Sequence, residues 1–257
     1  MSVLLHIFDS SLQTGIFPTL CKHATVVPIP NKDKAVAAKD FRPIGILATG
    51  GKILEAIALY KILDHISSRN ILDSHQSGYS SFCLVNVDLL VNKLKCYGFS
   101  DPAAQWIESY LLNRTQTLRS PDGELSQTLF RSLDVPQGSL LEPFLFSVYI
   151  NDLLAVCQDC GYHIYADDFY FYFHGHVKEA KRLIELVNSV LSQISIWAEQ
   201  NGLIVKPALK TVTIWFGTRR FKNRMSQTLP LIKMNEVIID TSDSIKLLGV
   251  FLDPSLL

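Results

Sequence analysis

The 257-residue sequence contains no apolar run long enough to cross a bilayer, and no internal repeat, low-complexity tract or Pro/Gly-rich linker divides it. One continuous packed unit without a membrane segment is therefore expected. Net charge is also lacking: 24 Lys and Arg balance 24 Asp and Glu, so nothing in the total pulls the chain toward nucleic acid or membrane. Any polyanion site must be local. Cysteine is sparse and scattered, at Cys21, Cys83, Cys96, Cys157 and Cys160, an odd set that excludes a disulfide framework and fits an intracellular, reducing compartment, nucleus or cytoplasm alike. The first twenty residues carry Asp9 and no basic start, so they do not read as a signal peptide.

What is present is a globular composition, 48% hydrophobic and 19% charged, on a chain long enough to bury a core. Leu54, Ile57, Ala58, Ile62, Leu63 and Ile66 recur at helical spacing, as do Leu183, Val187, Val190, Leu191, Ile194 and Trp197 before a stop at Asn201-Gly202. Asp101-Pro102 predicts a helix start with Trp106, Ile107, Tyr110 and Leu111 on one face, and Pro143 opens another helix running to Leu154. Strand patterns cover 24–29, 116–119, 161–165, 169–173, 211–216 and 245–252. Strands interleaved with helices predict an α+β fold with a mainly antiparallel sheet.

The stretch richest in chemistry runs from His163 to Tyr172, where two apolar strand-like segments flank Asp167-Asp168. That pattern puts two carboxylates at a hairpin tip. Adjacent acids against apolar neighbours are costly unless a cation or a proton joins them, and Mg²⁺ commonly takes one or two protein carboxylates with substrate phosphates. A plain surface turn fits the tetrapeptide as well. Upstream, Val135 to Leu141 contains a Gly138 turn that permits a close backbone approach a Cβ would block. Lys32 and Arg42 sit on successive strand segments and together have the chemistry to clamp a triphosphate, although either alone is an ordinary surface charge.

In this order, Lys32, Phe41-Arg42-Pro43-Ile44, Gly51 to Glu55, Gln76-Ser77-Gly78-Tyr79, Val135 to Leu141, Tyr165-Ala166-Asp167-Asp168, Asn201-Gly202-Leu203 with Lys210-Thr211, and Lys246 to Val250 closely resemble the reverse transcriptase domain of non-LTR, jockey-like retrotransposons. The resemblance implies a right-hand polymerase, with fingers over about 1–75, a partial palm over about 76–240 and the start of the primer grip over about 241–257, at Leu248-Gly249. It implies an RNA-directed DNA polymerase acting on RNA template, DNA primer and deoxynucleoside triphosphates through two Mg²⁺ ions. Asp167 and Asp168 would be the catalytic metal ligands, Lys32 and Arg42 would meet the triphosphate, Gln137 and Gly138 would line the nucleotide pocket, and Lys210 would be a general acid for the leaving pyrophosphate. By the same resemblance, thumb and endonuclease segments would be expected to be absent from this sequence.

One departure matters. The family carries a strand and helix start with a further catalytic aspartate after the Gln-x-Gly segment, whereas here seven residues, 80–86, separate Tyr79 from Val87. A strand of about 5–6 residues and the start of a helix of about 11 do not fit in that space. Asp88 reads instead as an acid in the first turn of a helix, favoured by the dipole. The expectation is an internally deleted fragment with impaired catalysis. Glu142, where the family has glycine, is expected to add negative charge near the nucleic-acid site.

A non-catalytic RNA- or DNA-binding remnant is the alternative. Between Gln200 and Asn235 stand Lys206, Lys210, Arg219, Arg220, Lys222, Arg224 and Lys233 without an acid, interleaved with Trp215, Phe216 and Phe221. Basic charge beside aromatics suits phosphate contact and base stacking, and a solvated loop beside a strand fits equally. Cys157, Cys160 and His163 would be a zinc set only with a second strong pair, which the sequence does not place nearby.

Overall fold

The computed structural model of the chain describes residues 3–37, 40–77, 85–131, 138–166, 168–217 and 229–254. Two compact units result, Met1–Asp152 with His163–Phe169, and Leu153–Tyr162 with Tyr170–Leu257.

In the first unit the elements are α1 (Val3–Thr14), β1 (His23–Pro30), β2 (Phe41–Leu47), α2 (Thr49–Arg69), β3 (Gln76–Ser77), α3 (Val87–Cys96), α4 (Asp101–Leu111), β4 (Arg114–Leu118), β5 (Leu129–Arg131) and α5 (Glu142–Ile150). Helix α1 was not anticipated, because its apolar residues Val3, Leu4, Leu5 and Ile7 are exposed and only Phe8 and Ser11 are buried. The hydrophobic spacing that marks a core face is thus missing from it. Phe17, just beyond, is fully buried between the rings of Trp106 and Tyr110, with centroids 5.4 and 5.0 Å away in edge-on geometry. Trp106 Nε1 donates to Ser11 Oγ at 3.0 Å, which ties α1 to α4.

The stripe expected for α2 is present, but Leu54, Ala58, Ile62 and Ile66 bury while Ile57 sits at the margin and Leu63 is exposed. Glu55 takes a place in the buried face. In α3 the Asn86 side chain accepts from the Leu89 backbone N–H, and Asp88 lies exposed in the first turn. Helix α5 begins at Glu142 and is buried at every described position except Pro143. It ends at Ile150, earlier than predicted, and continues as a 3₁₀ turn over Asn151–Cys157.

One sheet has the order β2-β1-β4-β5. Its β1–β2 pair is antiparallel with Ile29 opposite Arg42, its β4–β5 pair is antiparallel, and β1–β4 is parallel. A second sheet has the order β3-β6-β7, with β6 (Gly161–Tyr165) parallel to β3 and followed by β7 (Asp168–Tyr172). Antiparallel pairs predominate among the described strands, and the two parallel pairs are what sequence spacing could not supply, since each joins segments far apart in the chain. The strands flanking the acids are half-buried rather than buried, with Ile164 alone fully enclosed.

The second unit is organised on α6 (Ala180–Gln200), which packs on β8 (Lys233–Met234) of the hairpin formed with β9 (Val237–Ile238). Its buried face is Ile184, Val190, Leu191, Ile194 and Ala198, displaced by one position from the predicted one at Leu183 and Trp197. The predicted strand at 211–216 is not one. A single bridge joins Thr213 to Thr241, and the short helix α7 (Pro207–Lys210) precedes it. The segment 245–252 is not one strand either. It folds back as β10 (Ile245–Leu247) and β11 (Val250–Leu252), paired antiparallel. No helix among the described residues is long and apolar enough to cross a membrane.

Candidate functional site

The turn between β6 and β7 places Asp168, exposed, at the first position of β7. Ala166 supplies the bend in a left-handed conformation, φ 56°, which a residue with a Cβ adopts at a cost. Its N–H donates to the Ser77 carbonyl at 2.8 Å, and Ile164 N–H donates to the His75 carbonyl at 3.0 Å, so β3 holds the turn from one side. Ser77 Oγ also pairs with His163 Nε2 at 2.8 Å. Asp167, Gln137 and the bases Arg219, Arg220, Lys222 and Arg224, with Phe221, lie outside the described residues.

Gly138 follows the predicted logic of close approach. It has φ 101°, and a Cβ there would lie 2.8 Å from the Gly45 carbonyl oxygen of β2. Arg42 is exposed three residues earlier on the same strand. Lys32 is engaged differently from a free phosphate contact: its Nζ pairs with Asp40 Oδ1 at 2.9 Å while Asp40 Oδ2 accepts from the Val36 and Ala37 N–H groups, closing the β1–β2 turn. Hydrogen bonding to Lys32 first, and to those backbone groups next, holds the Asp40 carboxyl below its ordinary range.

Sequence reasoning missed a buried polar network beneath the Gly138 turn. Glu55 Oε2 accepts from the Leu140 N–H at 2.8 Å and from Ser139 Oγ at 3.1 Å. Because the single Ser139 hydroxyl proton goes to Glu55, the Tyr110 hydroxyl donates to Ser139 at 2.5 Å. Ser139 Oγ also accepts from the Leu141 and Glu142 N–H groups, at 3.0 and 3.2 Å. Arg114, 2% exposed, donates to the Tyr110 carbonyl and lies over the Tyr110 ring, while its Nη2 has no hydrogen-bond partner among the described residues. Burial raises the Glu55 and Tyr110 pKa values and lowers that of Arg114. The signal available in the sequence was an acid inside the apolar stripe of α2. Glu142, expected to add negative charge near the nucleic-acid site, is 2% exposed at the start of α5.

In the second unit, Leu248 and Gly249 form the two-residue turn between β10 and β11, both left-handed at φ 49° and 88°. This is the primed-turn geometry of tight hairpins, where asparagine rather than leucine is the common first residue. Leu248 is half exposed, and Lys246 Nζ stands 5.5 Å above the Phe251 ring. Lys210 is exposed at the end of α7. Cys160 donates to the Cys157 carbonyl, and burial pushes the Cys157 thiol up to about 12.

A family model described as reverse transcriptase (RNA-dependent DNA polymerase) matches residues 79–252, more than half of the chain. The chain belongs to the reverse transcriptase family. Its relatives place it with the jockey-like, non-LTR kind. It is 26% identical over 297 aligned positions to the probable RNA-directed DNA polymerase from transposon BS of Drosophila melanogaster, covering 97% of this chain and 31% of that protein. It is 24% identical over 301 positions to the RNA-directed DNA polymerase from mobile element jockey of the same species, covering 100% of this chain and 31% of that protein. The jockey polymerase of Drosophila funebris is 25% identical over 58% of this chain. The chain thus spans under a third of the length of the first two relatives. An alignment of 301 positions on a chain of 257 residues also leaves at least 44 positions of the D. melanogaster jockey polymerase facing no residue of this chain.

Members of the family use divalent metal ions. Asp168 offers an exposed carboxylate, which fits the one or two protein ligands that Mg²⁺ accepts. Among the described residues, which leave out Asp167, no group of three or more His, Cys, Asp or Glu is placed to hold a metal ion.

Proposed function

We propose that this reverse transcriptase is an RNA-directed DNA polymerase fragment of a retrotransposon that keeps the metal-bearing turn and the nucleotide pocket but has lost the segment with the first palm aspartate, leaving catalysis impaired. The observation that carries the polymerase reading is the β6–β7 turn, where left-handed Ala166 leaves Asp168 at the surface. The surplus of aligned positions in the relative supports a missing segment, and the seven residues 80–86 are the place in the sequence too short to hold it.

On this reading 1–75 are fingers, 76–240 a partial palm and 241–257 the start of the primer grip. Asp167 and Asp168 would hold Mg²⁺, which supplies charge neutralisation for the phosphates when bound. Arg42 projects from β2 with five donors in a fixed fork, suited to a triphosphate, and Lys32 reaches one after leaving Asp40. Gln137 and Gly138 line the nucleotide pocket, Lys210 is positioned late in the chain as the proton donor to pyrophosphate, and Leu248-Gly249 is the primer grip. RNA template, DNA primer and deoxynucleoside triphosphates are the ligands.

Primer extension on an RNA template with Mg²⁺ tests it. The expected result is little or no incorporation together with salt-dependent template-primer binding. Robust incorporation abolished by Asp167→Ala would overturn the impairment. RNA binding unaffected by Asp167→Ala and accompanied by no nucleotide binding would favour the binding remnant, whose support is the acid-free basic and aromatic stretch from Lys206 to Lys233.

A further inference from the structure

We infer that Glu55 is a positioning residue for the nucleotide pocket: its carboxylate, carried on α2, clamps the Gly138–Leu141 turn against β2. This rests on the assignment of Gln137 and Gly138 to that pocket. Contacts of Glu55, of Ser139 and of Gly138 define the clamp. Glu55 Oε2 takes both the Leu140 N–H and the Ser139 hydroxyl. Ser139 Oγ in turn gathers the Leu141 and Glu142 N–H groups at the start of α5, as well as the Tyr110 hydroxyl. On the opposite side the Gly138 backbone rests against the Gly45 carbonyl, closely enough that any Cβ would collide.

The turn is therefore fixed between α2 and the strand that bears Arg42. Release of the Glu55 contacts frees the turn from one wall only, so the backbone can lift away from β2 and change its distance to whatever Arg42 holds. A side chain 1% exposed makes no direct contact with nucleotide, which separates positioning from catalysis. The alternative, that Glu55 merely stabilises the fold, predicts loss of stability without a selective change in the turn or in nucleotide affinity.

The test uses the full chain and a fluorescent deoxynucleoside triphosphate with Mg²⁺, together with hydrogen exchange at the Leu140, Leu141 and Glu142 amides. Glu55→Ala is expected to speed exchange at Leu140 and to weaken nucleotide binding about tenfold, the scale of one lost hydrogen bond to a charged group. Glu55→Gln keeps an acceptor of the same reach and is expected to restore both. Should Glu55→Ala fail to fold, Ser139→Ala removes the relay and is expected to speed exchange at Leu141 and Glu142 and weaken binding in the same direction. Unchanged exchange at these amides in a folded variant overturns the clamp. Wild-type chain that binds no nucleotide while the exchange effects appear overturns the pocket assignment and leaves the clamp standing; altered exchange with unaltered wild-type-like affinity overturns the positioning role.

Discussion

Two segments proposed to meet the triphosphate are held by opposite means. The Gly138–Leu141 turn rests on buried hydrogen bonds from Glu55, Ser139 and Tyr110, whereas the Asn31–Asp40 turn is closed by an exposed Lys32 that reaches the Asp40 carboxylate from solvent. Inside, a lost partner leaves a donor or acceptor with no water to replace it, at about 1–3 kcal/mol for each orphaned group. Water replaces Lys32 more readily, because its ammonium is exposed and Asp40 keeps the Val36 and Ala37 N–H groups when the pair opens. The contrast assigns rigidity to one wall and adaptability to the other.

The largest break in this comparison is Gly138→Ala. It forces a Cβ into left-handed backbone and against the Gly45 carbonyl, and urea unfolding should show a loss of more than about 2 kcal/mol. A loss under half that size would mean that β2 and the turn separate easily. Ser139→Ala comes next, at about 1–3 kcal/mol, since the Leu141 and Glu142 N–H groups and the Tyr110 hydroxyl lose one shared acceptor. Tyr110→Phe, which removes one hydroxyl and leaves the ring stacked, should cost about 1 kcal/mol by the same assay.

pH separates the two walls by sign. Burial raises the Glu55 pKa, so its contribution is complete below the ordinary carboxylate value of about 4.3 and is lost as pH rises through the raised folded value. Asp40 is lowered, chiefly by Lys32, so its contribution is present above the ordinary value of about 3.9 and is lost as pH falls through the lowered one. Stability profiles of Glu55→Gln and Asp40→Asn should therefore flatten in opposite directions relative to the wild type. Parallel profiles would show that the two walls are not distinct. The smallest effect is Lys32→Ala, a shift of under about 1 kcal/mol that shrinks at high salt, because Lys32 is exposed and the Asp40 carboxylate keeps its two backbone N–H partners.

Periodicity revealed α2, α4 and α6, Pro143 revealed α5, which is buried nearly all round, and β-rich runs revealed β1, β6 and β7. It misplaced Ile57, Leu63, Leu183 and Trp197, which share the stripe but fall at its edge once neighbours are in place. It missed α1, whose apolar residues face outward, and it joined β10 and β11 because Leu248-Gly249 lacks the asparagine that usually announces such a turn. At the site, acids and bases were visible as residue types in order. Glu55 was not, because one acid in an apolar stripe reads as a blemish until the turn that it holds is folded over it.

The parallel pairing of β1 with β4 brings His23 beside Thr115, 92 residues apart. Closing a loop of that length is an entropic barrier that local hairpins do not face, so this pairing should form late, after α2, α3 and α4 have shortened the path. A logarithm governs the length dependence. If the 44 residues counted against the jockey relative fall after Tyr79, their absence shortens this loop and eases closure by only about 0.3 kcal/mol. The assembly of the β2-β1-β4-β5 sheet is thus nearly indifferent to the length of the chain that connects its two parallel strands.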